Sequence, residues 1–214
     1  MGRYSAVGNH VTPQQNPQQQ QAPLNWPTDF PKPIIGIERD GVILQRKPVV
    51  SSAADIEVIP EALDAIRTMR LKGYKVLIIT QQDAISRGIL STHQVDEVHN
   101  NLMEIFGRAG IMTIDGLYYS TSSMKEDMFA KPNTGMFDRA ENEGGGRIKF
   151  REGWYVGDRM YDLKVAEKIK AKPILVRTGD GKEVEEQLSK FTYKDLKRKT
   201  KVFDNLLDFA NSLA

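Results

Sequence analysis

The sequence predicts an α/β fold built on a parallel sheet. Short apolar, β-branched runs, such as Ile34-Ile35 with Ile37 and Tyr74 to Ile79, have the pattern of strands buried on both faces. They alternate with segments of helical periodicity, the order of βαβ units. A polar cluster stands at one strand end after another, where open α/β sheets place their ligands.

The elements follow in order. Met1 to Pro33 is set apart by Gln14 to Gln21 and by prolines at 23, 27, 31 and 33. It has too little apolar surface to offset its ordering entropy and is expected to be a disordered tail. Trp26 and Phe30 are candidates to anchor its end. A protein partner for the Gln-rich piece is the alternative to a passive tail. Ile34 to Ile37 is the first strand. Gln45 to Ile59 is a polar connection. Pro60 opens a helix carrying Leu63, Ile66 and Met69, which Gly73 closes. The strand Tyr74 to Ile79 ends at Thr80-Gln81-Gln82. Ser91 and Thr92 can cap a helix whose stripe is Val95, Val98, Leu102, Ile105 and Phe106, stopped at Gly110. Gly116 to Tyr119 is a strand and Thr134 to about Glu143 a short helix. Trp154 to Val156 is a strand running into Gly157-Asp158. A helix from about Tyr161 to Lys170, a strand Pro173 to Val176 and a helix Glu183 to Phe191 come next. Val202-Phe203 and a helix from Asp204 to Leu213 close the chain.

The 214 residues are enough for one full domain with a buried core. Acidic and basic residues nearly balance, 28 against 30, so nucleic acid is not an expected partner. The run Lys194 to Lys201 reads as a solvated loop or helix face. There is no cysteine, which excludes disulfides and thiolate zinc sites. No apolar run approaches the roughly 20 residues that span a bilayer, and the N-terminus lacks a signal-peptide core. The expectation is a soluble, cytoplasmic protein.

Four polar clusters stand just after strands or lead into a helix: Glu38 with Asp40, Thr80, Lys131, and Asp158 with Asp162. In a parallel sheet the carboxyl ends share one edge, so these groups can converge. Two carboxylates two residues apart, turned at Gly41, suit a divalent cation and a phosphate group. The chemistry they fit is phosphoryl transfer through a covalent intermediate. One carboxylate attacks phosphorus, the second protonates the leaving oxygen and then activates water. A hydroxyl and an ammonium hold the phosphoryl oxygens. His93 and His99 read as surface or partly buried residues of one helix.

The set and order of motifs resemble the haloacid dehalogenase superfamily of phosphatases, and within it the D,D-heptose 1,7-bisphosphate and histidinol-phosphate phosphatase branch. The motifs are Glu38-Arg39-Asp40-Gly41-Val42-Ile43, Thr80 to Gly88, Asp115-Gly116-Leu117-Tyr118-Tyr119, Ala130 to Met136, Trp154 to Asp162, and Ile174 to Gly181. The resemblance implies a three-layer α/β/α HAD-like Rossmannoid domain over 34–214 without a large cap domain. It implies a Mg2+-dependent phosphomonoesterase acting on a small phosphorylated sugar or related metabolite. It makes residue 38 the nucleophile and Asp40 the general acid and base. Thr80 and Lys131 would bind the phosphoryl group, with Gln81 and Arg87 on the substrate side. Glu38, the backbone carbonyl of Asp40 and Asp158 would hold Mg2+, and Asp162 would support Lys131 or the metal shell.

Two departures follow. The family nucleophile is Asp, and this chain has Glu38. One methylene moves the carboxylate by about one C–C bond, and a misplacement of roughly 1 Å can cost on the order of 100-fold in rate. The alternative to an enzyme is therefore a catalytically impaired relative that binds a phosphorylated ligand or a protein. The loop Tyr119 to Ala130 has neither Cys nor His, so the zinc of the heptose branch is not expected. Ala130 also stands where the family has a substrate-reading Arg, and both departures argue against heptose bisphosphate itself as the substrate.

Overall fold

The computed structural model describes residues 33–145 and 147–214. The expected tail, with Trp26 and Phe30, lies outside the described residues apart from Pro33. Six strands form one sheet: β1 Ile34–Ile37, β2 Lys75–Gln81, β3 Gly116–Ser120, β4 Trp154–Gly157, β5 Lys172–Val176 and β6 Lys201–Phe203. Their order is β3-β2-β1-β4-β5-β6, and every pairing is parallel. The chain reverses its direction of winding at β1, which lies between β2 and β4. That is the switch point where such sheets bind ligands.

The alternation of side chains along each strand builds the two outer layers. Ile35, Ile37, Val76 and Ile78 pack on one face with Ile66 and Met69 of α1 (Ala62–Leu71), Val95 and Leu102 of α2 (Thr92–Arg108), and Phe209 of α7 (Leu206–Ser212). Ile34, Leu77 and Ile79 pack on the other with Phe137 and Ala140 of α3 (Gly135–Glu143) and Val165 and Ala166 of α4 (Met160–Lys168). α5 (Gly181–Leu188) and α6 (Lys194–Lys199) close the β5 end around Leu175, Val184, Leu188 and Leu196. This is the expected three-layer α/β/α architecture. The segment between β1 and α1 carries one 3-10 turn, Ala53–Asp55.

The elements differ from expectation in detail. β2 runs on through Thr80 and Gln81, which pair with Tyr119 and Ser120 of β3. Ser91 is the cap of α2, accepting from the Gln94 backbone N–H at 3.2 Å while Gln94 Oε1 takes the Ser91 N–H at 3.0 Å. α5 stops at Leu188, its last buried residue, and Phe191 lies exposed in a 3-10 turn. The basic run forms α6, a helix seated by Leu196 alone. Among the described residues no helix is long and apolar enough to cross a membrane.

Candidate active site

Glu38 directly follows β1 with its side chain inside the protein, 2% exposed. Its Oε1 accepts from the Arg39 backbone N–H at 2.9 Å and from the Thr80 hydroxyl, and its Oε2 pairs with Lys131 Nζ. Lys131 also donates to Asp162 Oδ1 at 2.5 Å and to the Tyr155 hydroxyl at 3.0 Å. Tyr155 is itself fixed. Its hydroxyl donates to the Ile79 carbonyl at 2.6 Å, and its ring lies over Gly36, where an added Cβ would stand 2.7 Å from the ring edge. Three strands and the segment before α3 thus deliver Glu38, Thr80, Tyr155 and Lys131 to one buried cluster.

The electrostatics follow from one ammonium between two buried carboxylates. Burial alone would lower the pKa of Lys131, but Asp162 and Glu38 raise it well above its ordinary value. Burial pushes the Asp162 carboxyl up to about 7 against the pull of Lys131. Asp162 also accepts the Arg159 N–H at the start of α4, 3.1 Å away.

Asp40 is the carboxylate nearer solvent, with its side chain 18% exposed. Arg39 holds it in a fork, Nε to Oδ1 and Nη2 to Oδ2, both at 2.9 Å. Gln82 Nε2 adds a bond to Oδ2 at 2.9 Å and another to Thr80 Oγ1 at 2.9 Å. Burial acts to raise the Asp40 pKa, but Arg39, Gln82 and Arg46 outweigh it and hold the carboxyl below its ordinary value. Arg39, 1% exposed, also donates to Gln82 Oε1 at 2.8 Å and lies 2.9 Å from His99 Nε2. His99 is fully buried, which corrects its reading as a surface or partly buried residue. His93 is exposed.

Asp158 follows β4 and is fully buried. Arg46 Nη2 reaches its Oδ1 at 2.8 Å and Oδ2 at 2.7 Å, and Nε reaches Oδ2 at 3.0 Å. The Asp180 backbone N–H donates to the same Oδ2 at 3.0 Å. Burial raises the Asp158 pKa and Arg46 opposes it. Gly41 turns the chain at φ +86°, and a Cβ there would run into Asp158 Oδ2. Only glycine gives both the turn and the close approach.

A cavity of about 530 Å³ opens beside these groups, lined by Asp40, Arg46, Gln81, Gln82, Arg87 and Arg159 among others. Gln81 Oε1 also accepts the Lys131 backbone N–H at 2.8 Å. Arg87 is half exposed and pairs with Asp83 at 3.4 Å.

A D-glycero-beta-D-manno-heptose-1,7-bisphosphate 7-phosphatase of Neisseria meningitidis is 31% identical over 179 residues, 83% of this chain and 92% of the relative. The chain belongs to the haloacid dehalogenase (HAD)-like hydrolase family, in its heptose bisphosphate phosphatase branch. A family model described as HAD-hydrolase-like matches residues 128–209. A second relative of the same activity, from Pseudomonas aeruginosa, is 27% identical over 179 residues, 83% of this chain and 95% of the relative. In fold the chain is similar to the D,D-heptose 1,7-bisphosphate phosphatase of B. bronchiseptica, solved with magnesium and phosphate. The TM-score is 0.74 at 22% identity, covering 84% of this chain and 97% of that one.

The HAD-like resemblance gives Mg2+ three oxygen sources in this chain: the Glu38 carboxylate, the Asp40 carbonyl and Asp158. As arranged, they do not fit the ion. Mg2+ takes near-octahedral oxygens at about 2.1 Å. Here both Asp158 oxygens are bonded to Arg46, the Asp40 carbonyl accepts from Arg46 Nη2 at 3.0 Å, and both Glu38 oxygens are engaged by Thr80, Arg39 and Lys131. Among the described residues there is no group of three or more His, Asp or Glu side chains that could hold a metal ion.

Sequence reasoning missed five residues of this site. Arg39 stands inside the first motif, between the two carboxylates, with nothing local to say that its side chain turns inward onto Asp40. Arg46 sits in a polar connection without a local signal, and Gln82 follows a strand as one more amide. Tyr155 lies within a strand motif. His99 did carry a signal. It stands four residues after Val95 and three before Leu102, on the apolar stripe of α2.

Proposed function

We propose that this HAD-like chain is a phosphomonoesterase acting on a phosphorylated sugar, with heptose bisphosphate, the substrate in the names of its relatives, as the first candidate. The observation that carries the reading is the convergence of Glu38, Thr80 and Lys131 in one cluster, with Asp40 on the wall of the adjoining cavity. The lining suits a phosphorylated ligand: Arg46, Lys47, Arg87 and Arg159 stand there against Asp40 and Asp83.

In this reading Thr80 and Lys131 exchange Glu38 for the phosphoryl oxygens when substrate enters. A freed Glu38 oxygen then bonds to phosphorus as the P–O ester bond breaks, and Asp40 gives its proton to the leaving alkoxide. Water next attacks the acyl phosphate, its proton passes to Asp40, and inorganic phosphate leaves with the Glu38 carboxylate restored. The depressed pKa of Asp40 favours the second step, where it is a base, over the first, where it is an acid. Mg2+ has no open donor set among Glu38, Asp40 and Asp158 and takes no part in these steps. The same reading sets the protein in the cytoplasm, in keeping with 214 residues without cysteine.

A second reading is favoured by one observation. Both Glu38 oxygens are engaged by protein donors, as suits a relative that binds a phosphorylated ligand without turnover. Phosphate release from a panel of sugar mono- and bisphosphates, comparing the natural protein with Glu38→Asp, separates the two. Turnover by the natural protein supports the first reading. Turnover by Glu38→Asp alone supports the second. Silence from both overturns the phosphomonoesterase reading for those substrates.

A further inference from the structure

The family's cation position is where this chain departs from expectation. Arg46 Nη2 touches two of the three oxygen sources assigned to the ion, Asp158 and the Asp40 carbonyl, at 2.7 to 3.0 Å. The carboxylate it meets is fully buried, and Arg46 itself is 24% exposed. A guanidinium resting on an exposed carboxylate would contribute little. Here the contact involves both carboxylate oxygens and adds a backbone carbonyl, with Asp180 Oδ2 a further 3.5 Å from Nε.

The saturation of Asp158 is the second observation. Its Oδ2 accepts from Arg46 Nε, Arg46 Nη2 and the Asp180 N–H. Gly41 and Gly179 press on it from the backbone, each leaving no room for a Cβ. No face of that oxygen remains for a metal ion. The turn that brings Arg46 there is itself fixed, with the Gly41 N–H on the Leu44 carbonyl at 2.7 Å and the Thr178 hydroxyl on the Gly41 carbonyl at 2.6 Å.

Charge gives the third. Glu38, Asp40, Asp158, Asp162 and Asp180 face Lys131, Arg39, Arg46 and Arg159 as direct partners, five carboxylates with four cations. The cluster is nearly balanced by the chain's own groups, so a divalent ion added with Arg46 in place would leave an excess of positive charge in a buried site.

We propose that Arg46 is the resident cation of this site, its guanidinium standing in the place of the family's divalent ion, so that Mg2+ binds only by displacing it. Arg46 lines the cavity, and among the described residues its Nη1 has no hydrogen-bond partner. Nη1 is therefore the donor available to a phosphoryl oxygen. A guanidinium can neutralise and orient such an oxygen, as an ion would. The proposal takes the position of the site from the phosphomonoesterase reading, but its test needs no substrate.

The experiment is Mg2+ titration of the full chain by calorimetry, with thermal unfolding in chelator and in Mg2+, for the natural protein, Arg46→Gln and Asp158→Asn. Arg46→Gln keeps a donor for Asp158 and removes the charge. The expected result is that Arg46→Gln binds Mg2+ about 100-fold more tightly than the natural protein, because a like charge beside the site is gone. It should melt lower than the natural protein in chelator and recover when Mg2+ is added. Adding Asp158→Asn to Arg46→Gln should remove the gain. Equal Mg2+ affinity in the natural protein and Arg46→Gln overturns the proposal, as does failure of folded Arg46→Gln to take up Mg2+. If Arg46→Gln does not fold, Arg46→Met takes its place in the same titration: tighter uptake than the natural protein upholds the proposal, and equal affinity overturns it. Failure of phosphate release would touch the phosphomonoesterase reading alone.

Discussion

Arg39 Nη1 lies 2.9 Å from His99 Nε2 inside the protein, and this contact fixes the state of the histidine. A guanidinium only donates, so Nε2 must accept and the ring is neutral with its proton on Nδ1. Nδ1 is buried and, among the described residues, has no partner. Burial, and then the Arg39 charge, hold the His99 pKa well below 6.5.

A pH dependence of stability follows. Below about pH 6.5 the unfolded chain binds a proton at His99 that the folded chain refuses, so the unfolded state gains. The contribution is full above the unfolded pKa and is lost as pH falls from there towards the folded pKa, by up to about 1.4 kcal/mol per pH unit. Urea midpoints at pH 7.5 and 5.5 should fall further for the natural protein than for His99→Gln, whose amide oxygen can still accept from Arg39. Equal falls would show that His99 does not titrate in this way. Asp162 works in the opposite direction, since its folded pKa of about 7 lies above its unfolded value. It favours folding at low pH and loses that effect as pH rises from about 4 towards 7, which is why the difference between the two proteins is the quantity to measure.

The Lys131 ammonium is the counter-charge of both Glu38 and Asp162, and all three are buried. Lys131→Met keeps the bulk and leaves two buried carboxylates unpaired. Stability should drop by about 3 to 5 kcal/mol, read as a lowered denaturant midpoint at pH 7.5. Adding Glu38→Gln and Asp162→Asn should recover much of it. A midpoint unchanged in Lys131→Met would mean that the carboxylates simply take up protons at little cost.

The sheet was legible because each strand announces itself locally. Ile34 to Ile37, Val76 to Ile79 and Ile174 to Val176 are β-branched runs closed by polar residues, and parallel pairing puts those closures on one edge. Glu38, Thr80, Lys131 and Asp158 could therefore be gathered from sequence alone. α6 was less legible, since Leu196 is its one buried residue and a six-residue helix shows no period. Arg46 was not legible at all. Its partner Asp158 is 112 residues away, and the contact exists only because the chain folds back at Gly41 and Leu44 after β1. A local pattern can say that a polar residue sits at a strand end, but not which distant group will claim its oxygens.

Gly41 tests how tightly that edge is assembled. Its φ of +86° is strained for any L side chain, and a Cβ would run into Asp158 Oδ2, which is hemmed in on the other side by Gly179. Gly41→Ala therefore meets two separate costs. The backbone must leave the left-handed region or bear about 1 to 3 kcal/mol of strain, and Asp158 must move off Arg46. Gly88 is the internal control, because it too has positive φ, at +69°, yet has open space around its Cβ position. Gly88→Ala should show the backbone cost alone. Denaturant midpoints should place Gly41→Ala well below Gly88→Ala. Adding Asp158→Ala to each should narrow the gap, because Asp158 is the group that the added methyl displaces. An undiminished gap would assign the extra loss to the turn itself and not to the crowding of Asp158.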